Sequence, residues 1–207
     1  MNQQHEQLAT LQEIRNIMDR SSRFISLSGL SGVFAGVVAL AGAAVVKWYL
    51  STNNINYRTA IARGLDFEVL VFLLSVALGV MVLAIAVAIY FTTRNARQRQ
   101  QPIWDSKVRR LLLNMAIPLA TGGLFCAVLL YHGIVYLVAP AMLLFYGLAL
   151  INGSKYTLSD IRYLGLCEIA LGLLACFFIG YGLLSWTIGF GVLHVLYGTI
   201  MYYKYER

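Results

Sequence analysis

The sequence predicts an all-α membrane protein: a polytopic bundle of six transmembrane helices arranged as three antiparallel hairpins, with an amphipathic helix ahead of them and both termini in the cytoplasm. Three observations predict it. Six apolar stretches, 24–46, 68–92, 111–131, 134–151, 161–180 and 183–203, approach or exceed the roughly 20 apolar residues that cross about 30 Å of hydrocarbon. Of the 207 residues, 59% are hydrophobic and only 12% charged, so the chain is spent on spans and their connections, as one membrane domain with no soluble one. With the N-terminus inside, thirteen of the sixteen lysines and arginines fall on the cytoplasmic side, leaving only Lys47, Arg58 and Arg63 outside.

The segments follow in order. Residues 1–23 read as a cytoplasmic amphipathic helix, because Leu8, Leu11, Ile14 and Met18 recur at helical spacing and Asp19 can pair with Arg23. Two roles suit it: lying on the lipid headgroups or binding a partner. The first apolar stretch starts at Phe24 after a mixed-charge segment, is longer than a signal-peptide core and lacks a small-residue cleavage site, so it reads as a retained span. The polar connection 51–65 is the longest external loop and the place for a short cap over the bundle. On the other side, 92–107 is basic and broken at Gln101-Pro102, with Trp104 placed to anchor at the interface. The turns Tyr131-His132-Gly133 and Gly180-Tyr181-Gly182 are so tight that they make hairpins of spans three and four and of spans five and six.

The net charge of +7 is a topology signal. Its basic residues flank spans, where anionic headgroups attract them, and lack the folded soluble surface with stacking aromatics that nucleic-acid binding needs. The expected partner is the lipid bilayer, with a second copy of the chain or another membrane protein as the alternative. No cofactor, metal or catalytic constellation is predicted. Cys126, Cys167 and Cys176 all sit inside spans without metal-type spacing, and His5, His132 and His194 are dispersed in depth. There is no phosphate-binding loop. Asn152-Gly153-Ser154 matches a glycosylation acceptor, but on the cytoplasmic side it would stay unmodified.

The last two hairpins resemble each other. A shift of 49 positions takes Lys155-Tyr156 onto Lys204-Tyr205 and brings the two tight turns together, whereas Tyr146-Gly147 finds Tyr197-Gly198 at a shift of 51. The run Gly165, Ile169, Gly172, a tight turn, then Gly189, Gly191 and Gly198 resembles the hairpin unit of the HdeD-like acid-resistance proteins, small six-helix proteins of bacterial inner membranes. The segment 20–32 is also similar to uncharacterised bacterial membrane proteins of this size. These resemblances imply a bacterial inner-membrane setting and a stress-related role, and they bring no catalytic residues.

Small residues mark the packing faces. Ser28, Gly32 and Gly36 recur every four residues on the first span, which lets a second helix approach closely, either within the chain or across a homodimer seam. Glu168 stands out because a carboxyl in hydrocarbon is costly and faces a bundle interior or a cavity. Gly165 and Gly172 share its helix face, and His194 has Gly191 and Gly198 at the same offsets. Glu168 lies thirteen residues before Tyr181 and His194 thirteen after it, so both are about 20 Å from the turn and level with each other. Either the two hold their hairpin in register, or they exchange protons as one coupled unit. Asn114, Pro118 and Thr121 form a stripe on the third span, and Tyr136 and Pro140 share a face of the fourth. These faces either line a small cavity or mark kinks with locally satisfied backbone. The functional expectation is a non-enzymatic inner-membrane protein that acts by helix packing or partner binding, in envelope or acid stress. A small solute transporter or proton-coupled permease using Glu168, His194 and the Asn114–Thr121 stripe is the alternative, and an intramembrane enzyme the third reading.

Overall fold

The computed structural model describes residues 28–100 and 104–207, together with His5. The predicted amphipathic helix 1–23, the start of the first span and the Gln101-Pro102 break lie outside the described residues. Everything regular among the described residues is helical: α1 (Gly29–Thr52), α2 (Tyr57–Arg63), α3 (Phe67–Gln98), α4 (Ser106–Tyr131), α5 (Val138–Gly153), α6 (Ile161–Phe177), α7 (Gly182–Trp186) and α8 (His194–Tyr205). A 3-10 turn, Val135–Leu137, leads into α5, and another, Ile179–Tyr181, leads into α7. Between α7 and α8, Thr187–Leu193 is π-helical, so α7, the π stretch and α8 form one continuous rod.

Among the described residues, five helical stretches are long and apolar enough to cross a membrane: Gly29–Thr52, Phe67–Gln98, Ser106–Tyr131, Val135–Gly153 and Ile179–Tyr205. The helix over the expected span 161–180 is α6, which stops at Phe177, so its 17 residues rise about 25 Å. Elsewhere the helices outrun the apolar stretches. α1 continues six residues past 46 and α3 six past 92, until Asn54 and Gln100 turn left-handed at φ 54 and 52 and end them. Polar side chains at those ends favour helix as well as apolar ones do, and hydropathy alone does not see them.

Caps fix the starts. Asn56 Oδ1 accepts the backbone N–H groups of Arg58 and Thr59, which makes the loop 51–65 fold into α2. Asp105 Oδ1 does the same for Lys107 and Val108 at the head of α4.

The helices pair in a row. α3 leans on α1, α1 on the π stretch and α8, α6 on α5, and α5 on α4. The close turn after α6 does connect it to α7, yet the broad face of α6 goes to α5 and that of α8 goes to α1. Glycine explains both choices. A Cβ at Gly165 would lie 2.7 Å from the Gly147 carbonyl oxygen of α5, and one at Gly198 would lie 2.7 Å from the Gly29 oxygen of α1. Only bare backbone permits either approach.

Both ends of the bundle are closed by polar contacts. At one end α2 covers the turn after α6: the Arg58 guanidinium sits 4.0 Å from the centre of the Tyr181 ring, and the Tyr57 hydroxyl is hydrogen-bonded to the Leu183 backbone beside Gly182. Burial pushes the Tyr57 phenol up from its usual 10.0 to about 12, against the smaller opposing pull of that hydrogen bond. At the other end the carboxylate of Glu206 caps α1, accepting from the Ser28 hydroxyl at 3.0 Å and from the Gly29 N–H. Arg99, at the end of α3, donates to the Tyr205 carbonyl at 2.6 Å, and Lys204 pairs with Asp160 at 2.7 Å.

Candidate functional site

The centre of the molecule holds a carboxyl, an imidazole and a phenol from three different helices. Glu168, on α6, is completely buried at 0% exposure, and its position follows from its neighbours in sequence. Gly165 and Gly172, one turn to either side, bring α6 down onto α5, where a Cβ at Gly172 would meet the Pro140 oxygen at 3.1 Å. The carboxyl then reaches past α5 toward the π stretch. Its seat there is Gly189, where a Cβ would lie 2.6 Å from Glu168 Oε2.

His194 closes the site at the first residue of α8. Its Nδ1 donates to the Gly189 carbonyl at 2.9 Å and stands 3.5 Å from Glu168 Oε1. A carbonyl only accepts, so Nδ1 carries a proton, and in the neutral ring Nε2 is left to accept. The Tyr146 hydroxyl, from α5, donates to it at 2.7 Å. The chain of contacts therefore runs Tyr146, His194, Gly189, with the carboxyl of Glu168 alongside. Phe190 packs on the Tyr146 ring with centroids 5.0 Å apart and on the His194 ring at 6.1 Å. The level placement of Glu168 and His194 thus becomes an approach of 3.5 Å between Nδ1 and Oε1. The direct hydrogen bond that the depth count made available goes to Gly189 instead, because the wide π turn aims that carbonyl at the ring.

Neither carboxyl oxygen of Glu168 has a hydrogen-bond partner among the described residues. Burying such a group without donors costs several kcal/mol, roughly, so the structure carries it at the expense of stability. Chemically the cluster has two forms of equal net charge: carboxylic acid beside neutral imidazole, and carboxylate beside imidazolium. The two forms differ in the place of one proton, which the imidazolium would carry on Nε2 because Nδ1 already holds one, and the net charge inside the bundle is the same in both.

The other predicted polar residues lie elsewhere. Asn114 Nδ2 and the Thr121 hydroxyl each donate to a carbonyl of their own helix, Arg110 and Ile117, both at 2.8 Å. Pro118, four residues after Asn114, has no N–H for the Asn114 carbonyl, and Asn152 of α5 supplies one across the helix pair at 2.7 Å. The proline stripe is therefore a helix-pairing site, facing a shallow groove of about 390 Å³ between α4 and α5. Tyr136 is in the 3-10 turn ahead of α5, ten residues from Tyr146, which is the tyrosine that meets His194.

The row of Ser28, Gly32 and Gly36 faces the last helix within the chain. A Cβ at Gly32 would lie 3.1 Å from the Gly198 α-carbon, and one at Gly36 would lie 2.7 Å from the Gly191 oxygen. All three cysteines are free. No group of three or more His, Cys, Asp and Glu that could hold a metal occurs among the described residues.

Tyr146, Gly189 and Asn152 were the residues missed. The depth count would have found Tyr146 had it been extended to the preceding hairpin, since this residue lies fourteen positions after His132. Gly189 carried no such signal, because a π stretch has no sequence signature comparable to a cap. No family model, curated protein or solved structure matches the chain.

Proposed function

We propose that this chain is a non-enzymatic, proton-responsive protein of the bacterial inner membrane, with six spans and both termini in the cytoplasm. In this reading protonation at the Glu168–His194–Tyr146 cluster alters how α6, α8 and α5 hold one another, and so reports acid or envelope stress through helix packing or a bound partner. The observation that carries it is the fully buried Glu168 carboxyl, which has no hydrogen-bond donor among the described residues and lies 3.5 Å from a histidine nitrogen. Membrane carboxyls that contribute nothing to stability are kept for proton chemistry. The resemblance of the Gly165–Gly198 rhythm to HdeD-like acid-resistance proteins points the same way. α6 is the fifth span in this reading and the one that brings the five membrane-length stretches to six.

The test is infrared difference spectroscopy of the protein in lipid, between neutral and acid medium. A carboxyl band that is present in the wild type and absent from Glu168→Gln is the expected result; an identical difference spectrum in both removes the proposal.

A proton-coupled permease is the second reading, favoured by one feature: the π stretch forms the wall against the carboxyl, and such turns are frequent at functional sites. Dissipation of an imposed pH gradient in vesicles by the wild type and not by Glu168→Gln would select it. The sensor reading is preferred because neither the groove along α3 nor the one between α4 and α5 is lined by Glu168, His194 or Tyr146.

A further inference from the structure

The end of α3 beside Glu206 carries a feature that the central cluster does not use. Ala86, Ile89, Tyr90, Thr93, Arg94 and Arg97 fall at helical spacing along one side of α3 and line a groove of about 790 Å³. The stripe is graded: apolar at Ala86 and Ile89, amphipathic at Tyr90 and Thr93, cationic at Arg94 and Arg97. The residues next to it point elsewhere. Asn95 and Ala96 are buried, and the Phe91 ring stacks on Phe34 of α1 with centroids 4.8 Å apart.

The charge at this end is unbalanced for an identifiable reason. Each acidic side chain described there is already engaged: Asp105 caps α4, Asp160 holds Lys204 and Tyr205, and Glu206 caps α1. Arg99, the third arginine, is spent on the Tyr205 carbonyl and Asn95. Arg94 and Arg97 make no ion pair or side-chain hydrogen bond with any described residue. Two neighbouring guanidinium groups without a carboxylate, at the polar end of an apolar stripe, match a molecule with a phosphate at one end and hydrocarbon at the other.

We infer that this side of α3 is a binding site for an anionic phospholipid, whose phosphate is held by Arg94 and Arg97 with Thr93, and whose acyl chain runs along Tyr90, Ile89 and Ala86. Arginine suits the task because its planar fork bonds two phosphate oxygens at once. Anionic headgroups are preferred over zwitterionic ones because no carboxylate among the described residues neutralises the pair. The site is independent of the central cluster and of its proton chemistry.

Native mass spectrometry of the full chain, stripped of lipid in detergent and titrated with phosphatidylglycerol or phosphatidylcholine, tests it. The wild type is expected to retain phosphatidylglycerol in preference to phosphatidylcholine. Arg94→Gln/Arg97→Gln should lower that affinity by about thirtyfold, since each basic residue contributes about fivefold. Arg109→Gln/Arg110→Gln removes two exposed charges from α4 and should leave retention nearly unchanged. Arg94→Lys/Arg97→Lys, which keeps the charge, should recover part of the affinity and shows that the site rather than the fold was altered. Equal loss in the α4 variant would mean general attraction to a basic surface and overturn the site. So would equal retention of the two lipids, unchanged binding in Arg94→Gln/Arg97→Gln, or displacement of the lipid by soluble glycerol phosphate at comparable concentration.

Discussion

A carboxyl that no donor touches and a carbonyl that its own helix cannot satisfy are the two residues' worth of chemistry that set this bundle apart from plain packing. They predict opposite responses to substitution. Glu168→Met, similar in volume and free of charge, should leave thermal stability unchanged or raise it, because neither carboxyl oxygen accepts a hydrogen bond to lose. Tyr146→Phe should lower stability by about 1 to 3 kcal/mol, because it strips the donor from a buried imidazole nitrogen. Thermal denaturation of both variants in one detergent gives the comparison, and a strongly destabilised Glu168→Met would show that the carboxyl is a structural tie.

The freed carbonyl is tested by a double-mutant cycle. Asn152→Ala should cost about 1 kcal/mol in the wild type and much less beside Pro118→Ala, where α4 regains its own N–H for Asn114. Equal costs in the two backgrounds would mean that the bond across α4 and α5 contributes nothing. At this scale the sequence is legible where chemistry is rare. A glutamate and a histidine in hydrocarbon can be counted to a common depth, and the structure puts them 3.5 Å apart. Tyr146 is one of 13 tyrosines, and nothing local singles it out. Asn152 first drew notice as part of a modification motif, although it serves the carbonyl that Pro118 releases.

Among the elements, α2 and the glycine faces allow the sharpest expectations. The Tyr57 phenol is held neutral by burial, with its value in the fold raised above that of the unfolded chain. Its contribution is therefore fully present below about pH 10 and is lost as the medium rises toward about 12. Hydrogen exchange of the backbone in α2 should accelerate over that window in the wild type and show no such step in Tyr57→Phe. A step that persists in Tyr57→Phe would assign it to another group.

Gly198→Val places branched carbon against the α1 backbone and should separate α1 from α8, at about 1 to 3 kcal/mol or more. Helix ends were readable where they coincide with the end of an apolar stretch, as at Phe67 and Tyr131, and poorly where polar residues extend or cap a helix: the helix that Asn56 caps read as loop 51–65, and the one that Asp105 caps read as starting at 111. Which helix meets which was not readable. Glycine rows announce a close approach without saying to what, and so Gly165 and Gly198, which look like two halves of one hairpin, are used against α5 and α1 respectively.

Across the whole molecule, composition and periodicity predict helices throughout and six spans; the described residues are helical wherever regular and hold five membrane-length stretches, and the number of crossings depends on α6. In a background without Cys126, Cys167 and Cys176, single replacements Ser159→Cys and Tyr181→Cys flank that helix at exposed positions. A membrane-impermeant thiol reagent applied to whole cells should label Tyr181→Cys at once and Ser159→Cys only after lysis. Labelling of both from one side would mean that α6 does not cross.

The same rod that ends in α8 is engaged at both ends, by Gly182 beneath Tyr57 and by Gly198 on α1, and between them by Gly191 against Gly36 of α1. An unbroken α-helix would fix the angle between Gly182 and Gly198 by their spacing alone, at 100° per residue. The seven π-helical residues between them unwind the rod just enough for both docks to be met. They behave like the slack in a cable stretched between two anchors. Deleting a single residue from 187–193 would tighten the coil and swing one anchor off its mooring, and the one that gave way would reveal which end of the protein is the firmer.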